Sequence, residues 1–284
     1  KLLETYEKVH IMKVLALTTF HQEGLELYGQ RFIDTFSKHV DKDIDLIVYT
    51  ENCTPTNTDE RITIVDAKQA LPKLNAFKER WKDEPKANGI CPPDIKARRP
   101  RDWHKKFKWD AIRFANKVYA VYDACTKTEY DLVIWIDGDT VCHSPITKEK
   151  LVSFFPETNW LAYLGRGNKW PECGFYALYI KQQGAIDFLK EFERVYEDAD
   201  NGIFKMEEWH DSYVFDEVLK NIRLQHPNIT DLSGHLVKGE GHPLINTELG
   251  AYFDHLKGAR KQVGKSKLQD LFRKRHEEYW KDAR

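Results

Sequence analysis

The chain has 284 residues, 41% of them hydrophobic and 13% aromatic, which suits one large α/β domain or two small ones. Its 44 Lys and Arg nearly cancel 45 Asp and Glu, for a net charge of −1. That balance excludes a purely electrostatic nucleic-acid binder but allows a local basic patch, and no apolar run is long enough to predict a transmembrane segment.

The opening stretch KLLETYEKVHIMKVLALTTF lacks a signal-peptide layout, because charged residues precede its strand-like part. Cys53, Cys91, Cys125, Cys142 and Cys173 are odd in number and widely spaced, with no C-x-x-C pair. They read as reduced thiols, and a cytoplasmic location is expected.

In chain order, VLALTTF is a continuous apolar run, as for a strand buried on both faces. Leu25, Tyr28, Phe32, Phe36 and Val40 then recur at helical spacing. IDLIVYTE and RITIVDA are short strands, and QALPKLNAFKERWK is a helix with Pro72 near its first turn. Residues 83–102 carry four prolines and a glycine and end basic, which marks a loop insertion. The spacing predicts a long helix over WHKKFKWDAIRFANKVYAVYDAC, a central strand at DLVIWID, and strands at WLAYLG and ECGFYALYI. Helices follow at AIDFLKEFERVYED and WHDSYVFDEVLKN, and a charged amphipathic helix at KLQDLFRKRHEEYWKD. Alternating strands and helices predict an α/β fold with a mostly parallel sheet. Residues 12–264 read as one domain, with 265–284 as a C-terminal helical extension.

Asp137 and Asp139 lie just past DLVIWI, where ligands of parallel sheets bind. Residues two apart share one face, so both carboxylates can aim at one point. Like charges that close repel unless a cation joins them, and a divalent metal with phosphate oxygens meets that need. Three readings of DGDTV stand: a capping turn, a metal-binding D-x-D, or the nucleophile loop of a haloacid-dehalogenase-like phosphatase with Asp137 as nucleophile. The phosphatase pattern wants its loop early and an acidic pair after a later strand, and this chain has neither.

Late in the chain stands His255-x-x-Gly258-x-x-Lys261. His offers a nitrogen ligand, Gly allows backbone close to phosphate, and Lys pairs with a diphosphate. D-x-D on a central strand with a late H-x-x-G-x-x-K resembles the GT-A glycosyltransferases of the glycogenin and lipopolysaccharide-galactosyltransferase type. The resemblance implies a GT-A, Rossmann-like fold and transfer of a hexose or pentose from a nucleoside-diphosphate sugar, with a UDP-sugar as first choice. It implies Asp137, Asp139 and His255 as metal ligands, and Asp137, Gly258 and Lys261 on the donor diphosphate. It points to Thr18, Thr19 and Phe20 at the nucleotide base, and to Lys117, then Arg113, as the basic residue touching the donor. A mixed oxygen and nitrogen ligand set suits Mn²⁺, with Mg²⁺ as second choice.

The family's D-Q-D is replaced here, with Ser212 after Asp211, which leaves retention or inversion open. Asp211 is the first candidate for a catalytic carboxylate and Glu172 the second. Trp170, Trp209 and His210 are candidates for the acceptor side, where aromatic faces meet sugars. Arg98, Arg99 and Lys105 lie in a basic and aromatic stretch suited to phosphates and bases. The acceptor is therefore expected to be a saccharide hydroxyl, or else a modified DNA base. A non-catalytic nucleotide-sugar or nucleic-acid binding module is the remaining alternative.

Overall fold

The computed structural model describes residues 11–99, 101–167, 169–234 and 242–281. Strand β1, Val14–His21, pairs in parallel with β2, Ile44–Glu51, which in turn pairs with β3, Ile62–Asp66. On the other side of β1 lies β4, Leu132–Ile136, also parallel. Strand β7, Lys169–Tyr179, runs antiparallel to β4 and to β6, Leu161–Arg166. Strand β8, Ile229–Asp231, ends the sheet parallel to β6, for an order β3-β2-β1-β4-β7-β6-β8. Only β7 opposes the common direction, so this is the mostly parallel α/β sheet expected of the GT-A class.

Burial on both faces explains the continuous apolar runs. Alternate residues of β1 divide between two cores: Leu15 and Leu17 enter one, Val14 and Ala16 the other. The first core is covered by helices α2 (Pro72–Trp81), α3 (Ala111–Cys125), α4 (Gln183–Glu197) and α5 (Asp211–Gln225). The second is covered by α1, Gln30–His39, through Phe32, Ile33 and Phe36, and by the segment around Leu244 to Phe253.

Two helical expectations need correction. The helix predicted from Trp103 begins only at Ala111. Trp109 is fully buried on a 3-10 turn, and the Asp110 carboxylate caps α3 by accepting from Arg113 N at 3.1 Å. The helix predicted over KLQDLFRKRHEEYWKD does not form as one piece. That stretch holds a 3-10 turn at Leu268–Asp270 and a short helix at Glu278–Lys281, and its last residue, like the rest of 282–284, lies outside the described residues. Tertiary ties override the amphipathic pattern. Arg260 grips both oxygens of Asp270, and the buried Trp280 donates its Nε1–H to Gly250 O at 2.8 Å. The insertion at 83–102 contains a 3-10 turn, Pro85–Asn88, and a short helix, Pro93–Arg98.

Trp280→Ala leaves a cavity in the second core and removes one of the two contacts of Gly250 O, the other being His143 Nε2 at 3.2 Å. A loss of about 3–5 kcal/mol is expected, read as a lowered urea midpoint without a change in slope.

Candidate active site

Past β4 the chain turns through Asp137, Gly138 and Asp139, with Thr140 N donating to Asp137 O at 3.0 Å. It then enters β5, Thr140–Cys142, which pairs antiparallel with β9, Phe253–His255. The register sets Thr140 opposite His255, and Leu256 N donates to Asp139 O at 2.9 Å. Backbone pairing thus delivers the late histidine to the aspartates. His255 Nε2 lies 3.1 Å from Asp139 Oδ1 and 3.6 Å from Asp137 Oδ2. Asp137, Asp139 and His255 each offer a ligand atom within 4.8 Å of the other two. Two carboxylate oxygens and one imidazole nitrogen fit a divalent transition metal such as Mn²⁺.

The other side of the His255 ring is also occupied. Nδ1 lies 3.0 Å from Glu172 Oε1, and Lys257 pairs with the second Glu172 oxygen. The ring passes so close to Gly174 that a Cβ there would sit 2.5 Å from Cε1 and 2.7 Å from Nδ1. Burial alone would lower the His255 pKa, but the Asp139 and Glu172 carboxylates overcome it and raise it to about 10. Burial would raise Glu172, and the Lys257 and His255 charges hold it well below the carboxylate range instead. Asp139 behaves alike: burial opposes its charge, and His255 and Lys261 hold its pKa low.

Lys117, buried on α3, places Nζ 2.8 Å from Asp137 Oδ1 and 2.5 Å from Asp211 Oδ2, and donates to Cys173 O at 2.8 Å. Burial would lower the Lys117 pKa, but Asp137 and Asp211 raise it. Asp211 opens α5 and accepts from Ser212 N at 2.8 Å. Burial would raise it, and Lys117 holds it below its ordinary value. Lys261 Nζ lies 2.7 Å from Asp139 Oδ2 and 5.0 Å over the Tyr28 ring. Gly258 has φ of +58°, and its carbonyl accepts from Lys261 N at 3.2 Å, so it shapes the turn that presents the lysine.

Most of these groups face a cleft of about 450 Å³, with the buried His255, and Lys257 and Gly258, outside its lining. Thr19, Phe20, Arg113, Lys117, Asp137, Asp139, Glu172, Asp211 and Lys261 all line it. Thr18 does not: it is fully buried, on the same face of β1 as Phe20 but two residues further from the strand's end. The sequence reading missed Tyr28, Trp135 and Glu51, which also line the cleft. Tyr28 sits on a π-helical turn, Leu25–Gly29, where simple helical spacing misplaces a side chain. Burial and the Asp139 and Asp137 charges raise its phenol to about 12. Trp135 donates Nε1–H to Asp137 Oδ1 at 2.7 Å.

The acceptor-side candidates are less well placed. Trp209 is 1% exposed, with Nε1–H donating to Met206 O at 3.2 Å, so it belongs to the core. His210 is buried, caps α5 by accepting from Tyr213 N at 3.3 Å, and meets Glu208 Oε2 at 3.0 Å. Trp170 is half-buried and packs its ring edge-on against His210 and Tyr213. Arg98 pairs with Glu207 and Lys105 with Asp102, each at 2.9 Å, and Arg99 pairs with the buried Glu208. Internal acids thus engage the basic stretch expected to grip nucleic acid.

Two outcomes follow for metal binding. Gly174→Ala forces the His255 ring aside and should weaken Mn²⁺ binding at least about tenfold, measured by titration with free Mn²⁺ read by electron paramagnetic resonance. A metal takes neutral imidazole, whereas His255 keeps its proton up to about pH 10. Binding between about pH 7 and 9 should therefore release close to one proton and tighten by up to about tenfold per pH unit.

No family model and no curated protein matches the chain. Among solved structures, it is similar to the bifunctional glycosyltransferase WbbM in apo form, at 13% identity and a TM-score of 0.42, covering 79% of this chain and 39% of that one. It is similar to apo mouse xyloside xylosyltransferase 1, at 11% identity and a TM-score of 0.45, covering 78% of this chain and 85% of that one. It is also similar to the glycosyltransferase GlyE of Streptococcus pneumoniae TIGR4, at 9% identity and a TM-score of 0.39, covering 78% of this chain and 45% of that one. The chain thus spans less than half of the WbbM and GlyE structures.

Proposed function

We propose that the chain transfers a hexose or pentose from a nucleoside-diphosphate sugar, with a UDP-sugar as first choice, to a saccharide hydroxyl, using Mn²⁺. The observation that carries this reading is one juxtaposition. Asp137, Asp139 and His255 converge within 4.8 Å, with Lys261 and Lys117 on either side, at the carboxyl end of β4 in an open cleft. Carboxylates and an imidazole suit a divalent ion, and lysines beside them suit the diphosphate it carries. When bound, the ion supplies positive charge to the departing diphosphate.

The residues divide the remaining work. Lys261 leaves Asp139 to pair with the diphosphate, where negative charge grows as the sugar bond breaks. Lys117 holds Asp137 and Asp211 in place by an ion pair to each. Thr19 and Phe20, at the end of β1, hold the base side of the nucleotide, and Arg113 reaches the donor from the rim. Asp211 faces the cleft and is the carboxylate assigned to the acceptor hydroxyl or the reacting sugar. Glu172 is locked between His255 and Lys257 and is assigned to orienting the histidine rather than to proton abstraction. Trp170 is the acceptor-side ring that stays half-exposed.

A saccharide acceptor is preferred to a modified DNA base, because Arg98, Arg99 and Lys105 are already paired. The phosphatase alternative asks Asp137 for a free nucleophilic oxygen. Its Oδ1 is held by Trp135 and Lys117, and its Oδ2 faces His255. Residues 12–264 are assigned as the transferase unit, packed against the tail. A reducing, cytoplasmic setting is inferred from five unpaired cysteines; no helix among the described residues is long and apolar enough to cross a membrane.

The test is release of UDP from a panel of UDP-hexoses and UDP-pentoses with Mn²⁺ and saccharide acceptors. Asp139→Asn and His255→Ala should each lower kcat/KM by about 10³, and Lys261→Ala by about 10². Unchanged turnover in both metal-site variants, or a covalent phosphate on Asp137, contradicts the reading.

A further inference from the structure

The segment that carries His255, Gly258 and Lys261 is a loop whose two ends meet on one carboxylate. Asp254 is fully buried and lines no part of the cleft. It accepts from Ser266 N at 2.8 Å, from Ser266 Oγ at 2.6 Å and from Tyr279 Oη at 2.8 Å. Neighbouring residues of a strand face opposite sides, so His255 turns to Asp139 while Asp254 turns to the tail. Residues 255–265 are therefore closed at their base by a group that the transfer chemistry does not use.

The tail end of this closure is itself fixed. The Tyr279 ring stacks on His143 with centroids 3.9 Å apart and planes 6° from parallel, and Lys265 Nζ lies 4.5 Å from the Tyr279 ring centroid. The next residue, Trp280, is anchored to Gly250 O. The loop is also held at its far side, where Arg260 pairs with Asp270 and Arg31 Nη1 donates to Lys261 O at 3.3 Å. A buried carboxylate is costly unless it is hydrogen-bonded, so these three donors are what keeps Asp254 in place.

We infer that Asp254, Ser266 and Tyr279 form a staple that sets the shape of the 255–265 loop, so that His255 and Lys261 reach Asp139 together. The C-terminal tail is then a working part of the metal-diphosphate site, and the three residues are positioning residues. This inference rests on the proposed transferase reading for the ligand, but the staple can be tested without it.

The experiment uses the full chain with Tyr279→Phe, Ser266→Ala and the double variant. Tyr279→Phe keeps the ring stack and removes one hydrogen bond, so the fold should survive. Hydrogen exchange of amides 256–265 should quicken by about tenfold in each single variant and more in the double. Affinity for UDP with Mn²⁺, by calorimetry, should fall about fivefold. Donor KM should rise by the same factor while kcat changes by less than about twofold, a split that general destabilisation does not produce. Unchanged exchange in the double variant overturns the staple. Faster exchange with unchanged UDP·Mn²⁺ affinity overturns its role in the site. A wild-type chain that binds no UDP·Mn²⁺ overturns the transferase reading itself, and the exchange result then judges the staple alone.

Discussion

Two carboxylates one residue apart, at the end of a buried strand, repel each other unless positive charge lies beside them. Asp137 and Asp139 receive it from three directions: Lys117 on α3, His255 on β9 and Lys261 on the loop after β9. Two more acids, Asp211 and Glu172, share these cations, and Lys257 completes the set. In this ion-paired cluster four carboxylates thus meet four cationic groups. Burying such a cluster is unfavourable unless every charge is matched. A divalent ion arriving with a diphosphate changes that balance little, because the pair brings both signs at once. On the proposed reading, Asp137, Asp139 and His255 would hold the ion, and Lys261, now on Asp139, would pair with the diphosphate.

The topology supplies this geometry. The reversed strand β7 carries Glu172 and Gly174 past the carboxyl end of β4, and Gly174 leaves room for the His255 ring. The two-stranded β5–β9 ladder brings residues distant in the chain into register. The same ladder points Asp254 away from the cleft and into the tail. The donor end of the site thus depends on residues on both sides of the loop, including ones well beyond the H-x-x-G-x-x-K pattern.

Much of the fold was legible because its strands are buried on both faces and read as unbroken apolar runs. VLALTTF and DLVIWID became the paired central strands β1 and β4. The D-x-D and the late histidine were legible as candidates because the two occur together, since each stretch alone also suits an ordinary turn. Their meeting in space was not, because the β5–β9 register is a tertiary property. Thr18, Trp209 and His210 prove buried for a related reason: residue type does not say how deep along a strand, or how far inward at a helix start, a side chain lies. The C-terminal helix failed because Trp280 and Asp270 gain more from the core and from Arg260 than a charged amphipathic helix offers. Tyr28 escaped notice because a π turn shifts the helical phase. Glu172 read as a free acid, and only its neighbours His255 and Lys257 show that it is occupied.

The central claim is that Asp137, Asp139 and His255 hold one divalent ion against a nucleotide diphosphate. Anomalous scattering at the manganese edge, from crystals of the chain soaked with Mn²⁺ and UDP, tests it most directly. The account predicts one strong peak within bonding distance of all three side chains, about 2.0–2.3 Å, with Lys261 turned to the diphosphate. A peak elsewhere, or UDP bound in the cleft with Lys261 still on Asp139 and no manganese beside it, would contradict the account.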